Sequence, residues 1–165
     1  MLHGWGSSPA IWRPLLVALR PDANIRLLEI PGCAPCSSGM TGNWRDALDQ
    51  VLAAVLAHSP GRAVFVGWSL GGQLAWALAE RHPERVAAVV TLGSNPSFVA
   101  RPDWPGMAGG AFRQFRSMYS ADAARGLQRF DSLQVAGSPA PRTRLRQLRE
   151  SDRETGCAEL QTGLD

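Results

Sequence analysis

Lysine is absent from this sequence, and the features that mark special classes of protein are scarce. All 17 basic residues are arginines, and against 14 acids they leave a formal charge of only +3 over 165 residues. A surplus this small does not by itself indicate a nucleic-acid partner. No run of about 18 apolar residues is present, and no charged region followed by an apolar one opens the chain, so neither a membrane span nor a signal peptide is predicted. With 45% hydrophobic residues, the composition is typical of one globular domain.

Cysteine is also scarce, and the three present, Cys33, Cys36 and Cys157, are too irregular to form a disulfide framework. An odd count of this kind favours a reducing, cytoplasmic setting. Cys33 and Cys36 have C-x-x-C spacing, which leaves a redox or metal site open as the minor alternative to an incidental loop. Because no second pair completes a zinc site, we expect no metal.

Apolar periodicity alternates between helical and extended patterns along the first 96 residues. Spacings of three and four predict helices over 9–19, 44–58 and 73–81, and short apolar runs predict strands over 24–30, 62–66 and 86–92. The last of these strands is an almost continuous apolar run, as in strands that are buried on both faces. Strands that alternate with helices predict an α/β fold with a parallel sheet flanked by helices.

The character of the chain changes after Pro96. Residues 97–110 are rich in proline and glycine and predict a connecting segment, whereas 111–153 return to helical periodicity. Between Arg113 and Arg149, eight arginines and only two acids give this stretch a charge of +6. We therefore divide the chain into an α/β core over 1–96 and a helical segment over 97–165.

The motif Gly67-Trp68-Ser69-Leu70-Gly71-Gly72 lies between a predicted strand and a predicted helix. In that position G-x-S-x-G is typical of the nucleophile elbow, a sharp turn that holds a serine hydroxyl out at the top of a sheet. A serine that merely caps the helix is the alternative. The upstream turn His3-Gly4-Trp5-Gly6 favours the elbow, because the fold with this motif takes an oxyanion donor from such a loop.

Ser69 is therefore the predicted nucleophile. A tetrahedral intermediate needs hydrogen-bond donors for its oxyanion, and the elbow geometry assigns this role to the backbone N–H groups of Leu70 and Trp5. The helix that begins near Leu70 directs the positive end of its dipole to the same place. His3 precedes the oxyanion turn, so we expect it to hold that loop rather than to act as the catalytic base.

Several short motifs together resemble a known family: His3-Gly4-Trp5-Gly6, Ile30-Pro31-Gly32, the elbow, His82-Pro83-Glu84-Arg85-Val86 and Trp104-Pro105-Gly106. They are similar to those of the α/β-hydrolases and, more narrowly, of the serine carboxylesterases that hydrolyse the methyl ester of pimeloyl-acyl carrier protein in biotin biosynthesis. The resemblance implies an acyl-serine intermediate on Ser69, no metal or organic cofactor, and a helical lid over 97–165. It also implies acyl carrier protein as the partner, with neither nucleic acid nor membrane.

The same resemblance implies further site residues. The acyl chain would contact Trp5, Ser69 and Leu70, together with five consecutive lid residues: Phe130, Asp131, Ser132, Leu133 and Gln134. Four lid arginines would meet the acidic carrier protein and its phosphopantetheine: Arg125, Arg129, Arg142 and Arg146. The members of each arginine pair are four residues apart and so share one helix face, although Arg-rich helices are also ordinary solvated surfaces in a chain without lysine.

The chain departs from this family in its catalytic triad. The triad order is Ser, then Asp, then His, yet the only histidine after Ser69 is His82, in a motif that the family uses structurally. The later aspartates lie in predicted lid or terminal segments: Asp103, Asp122, Asp131, Asp152 and Asp165. We expect either a fragment of a longer protein, which the abrupt start at Met1 and the abrupt stop at Asp165 favour, or a natural short form. In both cases the chain alone should hydrolyse esters poorly.

Two other functions stay open on the sequence. The elbow also fits an α/β-hydrolase that acts on free small esters or other acyl substrates. The non-enzymatic alternative is a hydrolase-like module that binds an acidic partner through its arginines.

Overall fold

The computed structural model describes residues 1–19, 24–30, 44–59 and 61–153, which form two compact units, one within Met1–Ser94 and the other within Asn95–Glu150. The elements follow in this order: a 3-10 helix Pro9–Trp12, α1 (Arg13–Leu16), α2 (Trp44–Ala57), β1 (Ala63–Trp68), α3 (Leu70–Arg81), a 3-10 helix Pro83–Arg85, β2 (Val86–Leu92), α4 (Gly109–Ala121), α5 (Ala123–Gln134) and α6 (Pro141–Arg153). The C-x-x-C hypothesis, Cys157 and Asp165 lie outside the described residues.

β1 and β2 form the parallel pair that their alternation with α3 predicts. Their register runs from Val64 opposite Ala88 to Trp68 opposite Leu92. A right-handed crossover through a helix is the usual way to connect two parallel neighbours, and α3 occupies that position. Both strands therefore end at the same edge of the sheet, where the turn into α3 begins.

On the other side of β1 the sheet continues through a single residue, Leu2, which bridges both β1 and Leu28. The Leu2 N–H donates to the Val66 carbonyl at 2.8 Å, and the Trp68 N–H donates to the Leu2 carbonyl at 3.0 Å. The strand predicted over 24–30 is thus wrong in extent. Only Leu28 pairs, because its neighbour in the sheet contributes only Leu2.

The helix predicted over 9–19 is also wrong in extent. Residues Pro9–Trp12 form a 3-10 helix, and only Arg13–Leu16 are α-helical. Pro14 explains the break, because proline has no N–H and its ring would collide with the carbonyl of residue 10 in a continuous α-helix. It is tolerated in the first turn of α1, where the N–H would have no helical partner.

The core of the first unit lies on one face of this sheet. Apolar side chains of α2 and α3 pack there with Leu2, Phe65 and Val86. On the opposite face Val64 is 54% exposed and Val90 is 46% exposed. The prediction that 86–92 is buried on both faces is therefore wrong, because among the described residues α2 and α3 cover only one side.

The second unit is built from α4, α5 and α6. α4 and α5 approach closely at Gly126, where an added Cβ would lie 2.7 Å from a ring carbon of Tyr119. Phe115 of α4 packs on Phe130 of α5 with ring centroids 5.9 Å apart. None of the helices in the described part of the chain is long and apolar enough to cross a membrane.

Residues 97–110 lead into α4 as a folded connection with two isolated bridges. Arg101 and Trp104 exchange backbone hydrogen bonds of 3.0 and 3.1 Å, and the Ala100 N–H donates to the Met107 carbonyl at 2.9 Å. The indole N–H of Trp104 donates to the Ser97 carbonyl at 3.1 Å. These hydrogen bonds fold the segment back on itself, and it contains no extended strand.

Candidate active site

Ser69 stands at the sharp turn between β1 and α3. Its backbone has φ 53° and ψ −118°, and among the described residues it is the only one with a side chain and a positive φ. So rare a conformation costs about 1–3 kcal/mol and persists only where its surroundings enforce it. The side chain makes no capping bond to α3, so the alternative in which Ser69 caps the helix is wrong.

The loop that follows Leu2 packs directly against this serine. Leu2 pairs with the end of β1, so the next residues run past the carboxyl end of that strand. At Gly4 an added Cβ would lie 3.3 Å from Ser69 Cβ and 3.0 Å from Trp68 Cε3. Glycine thus lets the backbone approach the serine, and Trp5 follows one residue after this contact.

Leu70 is the first residue of α3. The first N–H groups of a helix have no partner within the helix, and the helix dipole adds partial positive charge at the same end. Leu70 directly follows Ser69 in the chain, and Trp5 directly follows Gly4, whose backbone comes so near that an added Cβ would lie 3.3 Å from Ser69 Cβ. This arrangement is suited to stabilising negative charge that develops beside the serine.

His3 is buried below this loop, and both of its ring nitrogens bind backbone groups. Nδ1 lies 2.8 Å from the Gly4 carbonyl oxygen, and Nε2 accepts the Ile30 N–H at 3.0 Å, so Nδ1 carries the proton. Glu29 Oε1 lies 3.9 Å from Nε2. Burial lowers the pKa of His3 to about 4, against the raising effect of the bond to Gly4. Since neither nitrogen is left to take a proton from Ser69, His3 ties the loop to Ile30 instead.

The other two histidines are distant from Ser69. His58 precedes β1, whose far end leads to Ser69, and its Nδ1 lies 2.8 Å from the Ala54 carbonyl oxygen. His82 follows a helix of 12 residues, a length of about 18 Å, and its Nδ1 lies 3.8 Å from the Glu84 carboxylate. No histidine of the chain is placed to serve as the base of Ser69. The described residues also contain no group of three His, Cys, Asp or Glu side chains that could hold a metal.

Residues 1–163 match the family model of the alpha/beta hydrolase fold. The chain belongs to the α/β-hydrolase fold family. In this α/β-hydrolase, the strained turn at Ser69 lies between a strand and a helix, the place that the nucleophile elbow takes in this fold, and the turn after Leu2 lies beside it. The prediction of the fold class is thereby confirmed.

This α/β-hydrolase is similar to curated proteins named pimeloyl-[acyl-carrier protein] methyl ester esterase. The protein of Aeromonas hydrophila is 36% identical over 149 residues, that of Vibrio parahaemolyticus 33% over 151, and that of Edwardsiella ictaluri 36% over 149. The matches cover 90%, 92% and 90% of this chain, and 58%, 58% and 56% of the respective relatives. The chain therefore spans less than two thirds of their length.

The five residues predicted to contact the acyl chain close helix α5. Consecutive helical residues are about 100° apart, so five in a row cannot share one face. Phe130, Leu133 and Gln134 lie on one side at spacings of three and four. Only part of the predicted set can therefore line a single pocket.

Their contacts separate the same two groups. Phe130 is half-buried against Phe115, whereas Leu133 is 43% exposed. Asp131 Oδ2 lies 3.5 Å from Arg149 Nε, and burial raises the pKa of Asp131 although Arg149 opposes that rise. The Ser132 hydroxyl donates to the Gln128 carbonyl at 2.7 Å. Asp131 and Ser132 thus already have partners within the second unit.

The four arginines predicted to meet the carrier protein are all exposed: Arg125, Arg129, Arg142 and Arg146. Arg125 and Arg142 lie in the first turns of α5 and α6, neither of which has an acid there. A positive charge at a helix start opposes the helix dipole. Arg146 has an acid near it, with its Nε 3.7 Å from Glu150 Oε1, but exposed pairs contribute little. Helix stability therefore does not account for the placement of these charges.

A further residue at this turn, not predicted from the sequence, is Ser94, whose hydroxyl donates to the Ser69 carbonyl at 2.7 Å. A lone serine after a strand has no periodicity and no motif to mark it. Only the topology could have pointed to Ser94, because ligand-binding groups of parallel sheets gather at the carboxyl ends of the strands. Ser94 follows the end of β2 by two residues.

Proposed function

We propose that this chain carries the nucleophile and the oxyanion loop of a serine carboxylesterase. We further propose that the full gene product that contains it hydrolyses the methyl ester of a pimeloyl chain held by acyl carrier protein. The observation that carries the first part is the contact of the Gly4 loop with the strained Ser69. The names of the relatives support the ester and its carrier.

The reaction would proceed in two displacements. The Ser69 hydroxyl oxygen attacks the ester carbonyl, and the N–H groups of Trp5 and Leu70 stabilise the oxyanion that forms. Collapse of this intermediate releases methanol and leaves the acyl group on Ser69. Water then attacks the acyl-serine, which frees the carboxylic acid and restores the hydroxyl.

The serine proton needs an acceptor in the first step, and the same group then donates it to the departing methoxide oxygen, which leaves as methanol. His3 has both ring nitrogens bound to backbone, and His58 and His82 lie away from Ser69. We infer that the base belongs to a part of the gene product other than these residues. Each step then needs only side chains, backbone N–H groups and water.

The second unit is assigned as the lid, in line with the division into 1–96 and 97–165. Phe130 and Leu133 supply apolar surface suited to an acyl chain, with Gln134 on the same helix face. The exposed arginines of α5 and α6 suit an acidic carrier and its phosphate, because guanidinium groups bind such anions in bidentate geometry. On this proposal, acyl carrier protein is the partner and the protein acts in the cytoplasm.

The test is turnover of carrier-linked pimeloyl methyl ester by the full gene product, with a free methyl ester as the second substrate. We expect mass spectrometry to detect loss of the methyl group from the carrier-linked chain. Ser69→Ala should reduce this turnover by at least about a thousand-fold, whereas Ser120→Ala, at an exposed serine of α4, should not change it. Full turnover by Ser69→Ala would refute the assignment of Ser69 as the nucleophile. Turnover of the free ester alone would indicate the small-ester alternative, and carrier binding without hydrolysis would indicate the non-catalytic one.

A further inference from the structure

The backbone of Ser69 is held at both of its polar groups, the N–H and the C=O, by residues at the end of β2. The Ser69 N–H donates to the Leu92 carbonyl at 2.9 Å. The Ser94 hydroxyl donates to the Ser69 carbonyl at 2.7 Å, and its distance of 3.4 Å to the Leu92 carbonyl marks that contact as the weaker one. Ser94 therefore acts on the backbone of Ser69, the proposed nucleophile, and needs no contact with the Ser69 side chain.

The carbonyl that Ser94 binds belongs to the same peptide unit as the Leu70 N–H. A trans peptide is planar, and its C=O and N–H groups point in opposite directions. A hydrogen bond that fixes the carbonyl therefore also fixes the direction of the N–H. It polarises the unit as well, since a carbonyl that accepts a hydrogen bond strengthens the donor on its own peptide.

The first turn of α3 is shaped to admit this hydroxyl. At Gly72 an added Cβ would lie 2.0 Å from Ser94 Oγ and 2.7 Å from Ser94 Cβ. The Gly72 N–H donates to the same Ser69 carbonyl at 3.0 Å. Gly72 and Ser94 thus form a matched pair, in which the missing side chain of one leaves room for the hydroxyl of the other.

We propose that Ser94 is a positioning residue of the oxyanion hole, which orients the Leu70 N–H by binding the carbonyl of Ser69. This proposal rests on the proposed function, because it takes Leu70 as an oxyanion donor. Ser94 does not contact the substrate and transfers no proton. Its effect should therefore fall on the transition state, where the oxyanion exists, and leave ground-state binding unchanged.

The experiment measures ester hydrolysis by the full gene product with Ser94→Ala. We expect kcat to fall about ten-fold, which is the size of one neutral hydrogen bond, with KM changed less than about two-fold. Affinity for a trifluoromethyl ketone, which forms an oxyanion at the serine, should weaken by the same factor. Ser97→Ala is the matched control: its hydroxyl also donates to a backbone carbonyl, that of Val99, at 2.7 Å, and kcat should be unchanged.

Two further variants keep the test decisive if Ser94→Ala folds poorly. Ser94→Thr retains the donor and should keep more of kcat than Ser94→Ala. Gly72→Ala should displace the Ser94 side chain and reproduce the loss, and Ser94→Gly should reproduce it by removing the hydroxyl. The double variant Gly72→Ala/Ser94→Gly should lose no more than either of these two single variants, because both remove the same bond.

The outcomes separate this proposal from the proposed function. If Ser94→Ala lowers the melting temperature but keeps kcat and ketone affinity while Ser69→Ala abolishes turnover, Ser94 is merely structural and the esterase assignment stands. An additive double variant would refute the pairing of Gly72 with Ser94. If Ser69→Ala retains turnover, the proposed function fails and the role of Ser94 fails with it.

Discussion

His3 binds the loop after Leu2 to the segment that ends at Ile30 through two hydrogen bonds that require a neutral ring. Nδ1 donates to the Gly4 carbonyl, and Nε2 accepts the Ile30 N–H. Protonation would convert Nε2 into a donor facing another donor. The carboxylate of Glu29, which is partly exposed, lies 3.9 Å from Nε2. The stability of the loop is therefore linked to pH.

The sign of this linkage follows from the direction of the shift. Burial lowers the pKa of His3 from 6.5 to about 4, so between these values the unfolded chain binds a proton that the folded chain does not. The His3 contribution is complete above pH 6.5 and is lost as the pH falls toward 4, by on the order of 3 kcal/mol. Urea unfolding from pH 7 to 4 should show that His3→Gln is destabilised at pH 7 and approaches the parent at pH 4.

His58→Gln is the matched control for this prediction, because it removes a histidine from the exposed end of α2. Its free energy of unfolding should follow that of the parent across the same range. A gap between parent and His3→Gln that stays constant from pH 7 to 4 would contradict the linkage, and would mean that His3 contributes by packing alone.

Single residues could be predicted where a motif dictates geometry. Ser69 and Leu70 lie at the sharp turn that the motif predicts, and Trp5 belongs to a glycine turn of a known type. Ser94 has no such mark, and its role depends on where β2 ends relative to β1. The assignment of Phe130–Gln134 to one pocket could not be judged before the helix bounds were known, because facing depends on helical phase.

Among the elements, α3 and β2 have close to the predicted bounds. An apolar run bounded by glycine or proline leaves few alternatives for its ends. The extent of the short elements near the start is set instead by single residues. Pro14 divides the predicted helix, and the strand predicted over 24–30 is reduced to one bridge because its neighbour in the sheet contributes only Leu2. Burial of β2 depends on which faces the helices cover, and local periodicity does not specify that.

The arginine pairs of α5 and α6 permit a prediction at the scale of the element. We expect Arg125→Glu/Arg129→Glu and Arg142→Glu/Arg146→Glu to raise KM for a carrier-linked ester by about ten-fold or more, since reversed charges repel an acidic partner. KM for a free methyl ester should not change. Replacement of Arg125 or Arg142 by an acid suits the helix dipole, so the melting temperature should be maintained or raised.

Arg113→Glu is the matched control for charge reversal, because Arg113 is an exposed arginine of α4 outside the two pairs. It should alter KM for the carrier-linked ester by less than about two-fold, as expected for one rim charge. Equal effects of Arg113→Glu and of the double reversals would mean that only total charge matters. An unchanged KM in both double variants would refute the carrier-binding surface.

At the scale of the whole molecule, we expect the face of the β1–β2 sheet opposite α2 and α3 to decide whether the chain self-associates in solution. Val64, Val90 and Leu92 project from this face with exposures of 54%, 46% and 42%. The register makes this face continuous, since Val64 lies opposite Ala88, Val66 opposite Val90 and Trp68 opposite Leu92. Contiguous apolar surface of this kind promotes association, whereas scattered apolar residues do not.

We expect the chain expressed by itself to bind an apolar dye such as anilinonaphthalene sulfonate and to self-associate. Val64→Thr/Val90→Thr should reduce both dye fluorescence and the associated fraction in sedimentation, because threonine keeps strand propensity while adding a hydroxyl to the exposed face. Val17→Thr is the control, since Val17 is 90% exposed but lies apart from the sheet. If the double variant binds as much dye as the parent, or if Val17→Thr lowers dye binding equally, the exposed sheet face is not the surface that binds the dye and mediates association. Loss of association in the sheet variant alone would identify this face as the surface that the chain must cover to remain monomeric.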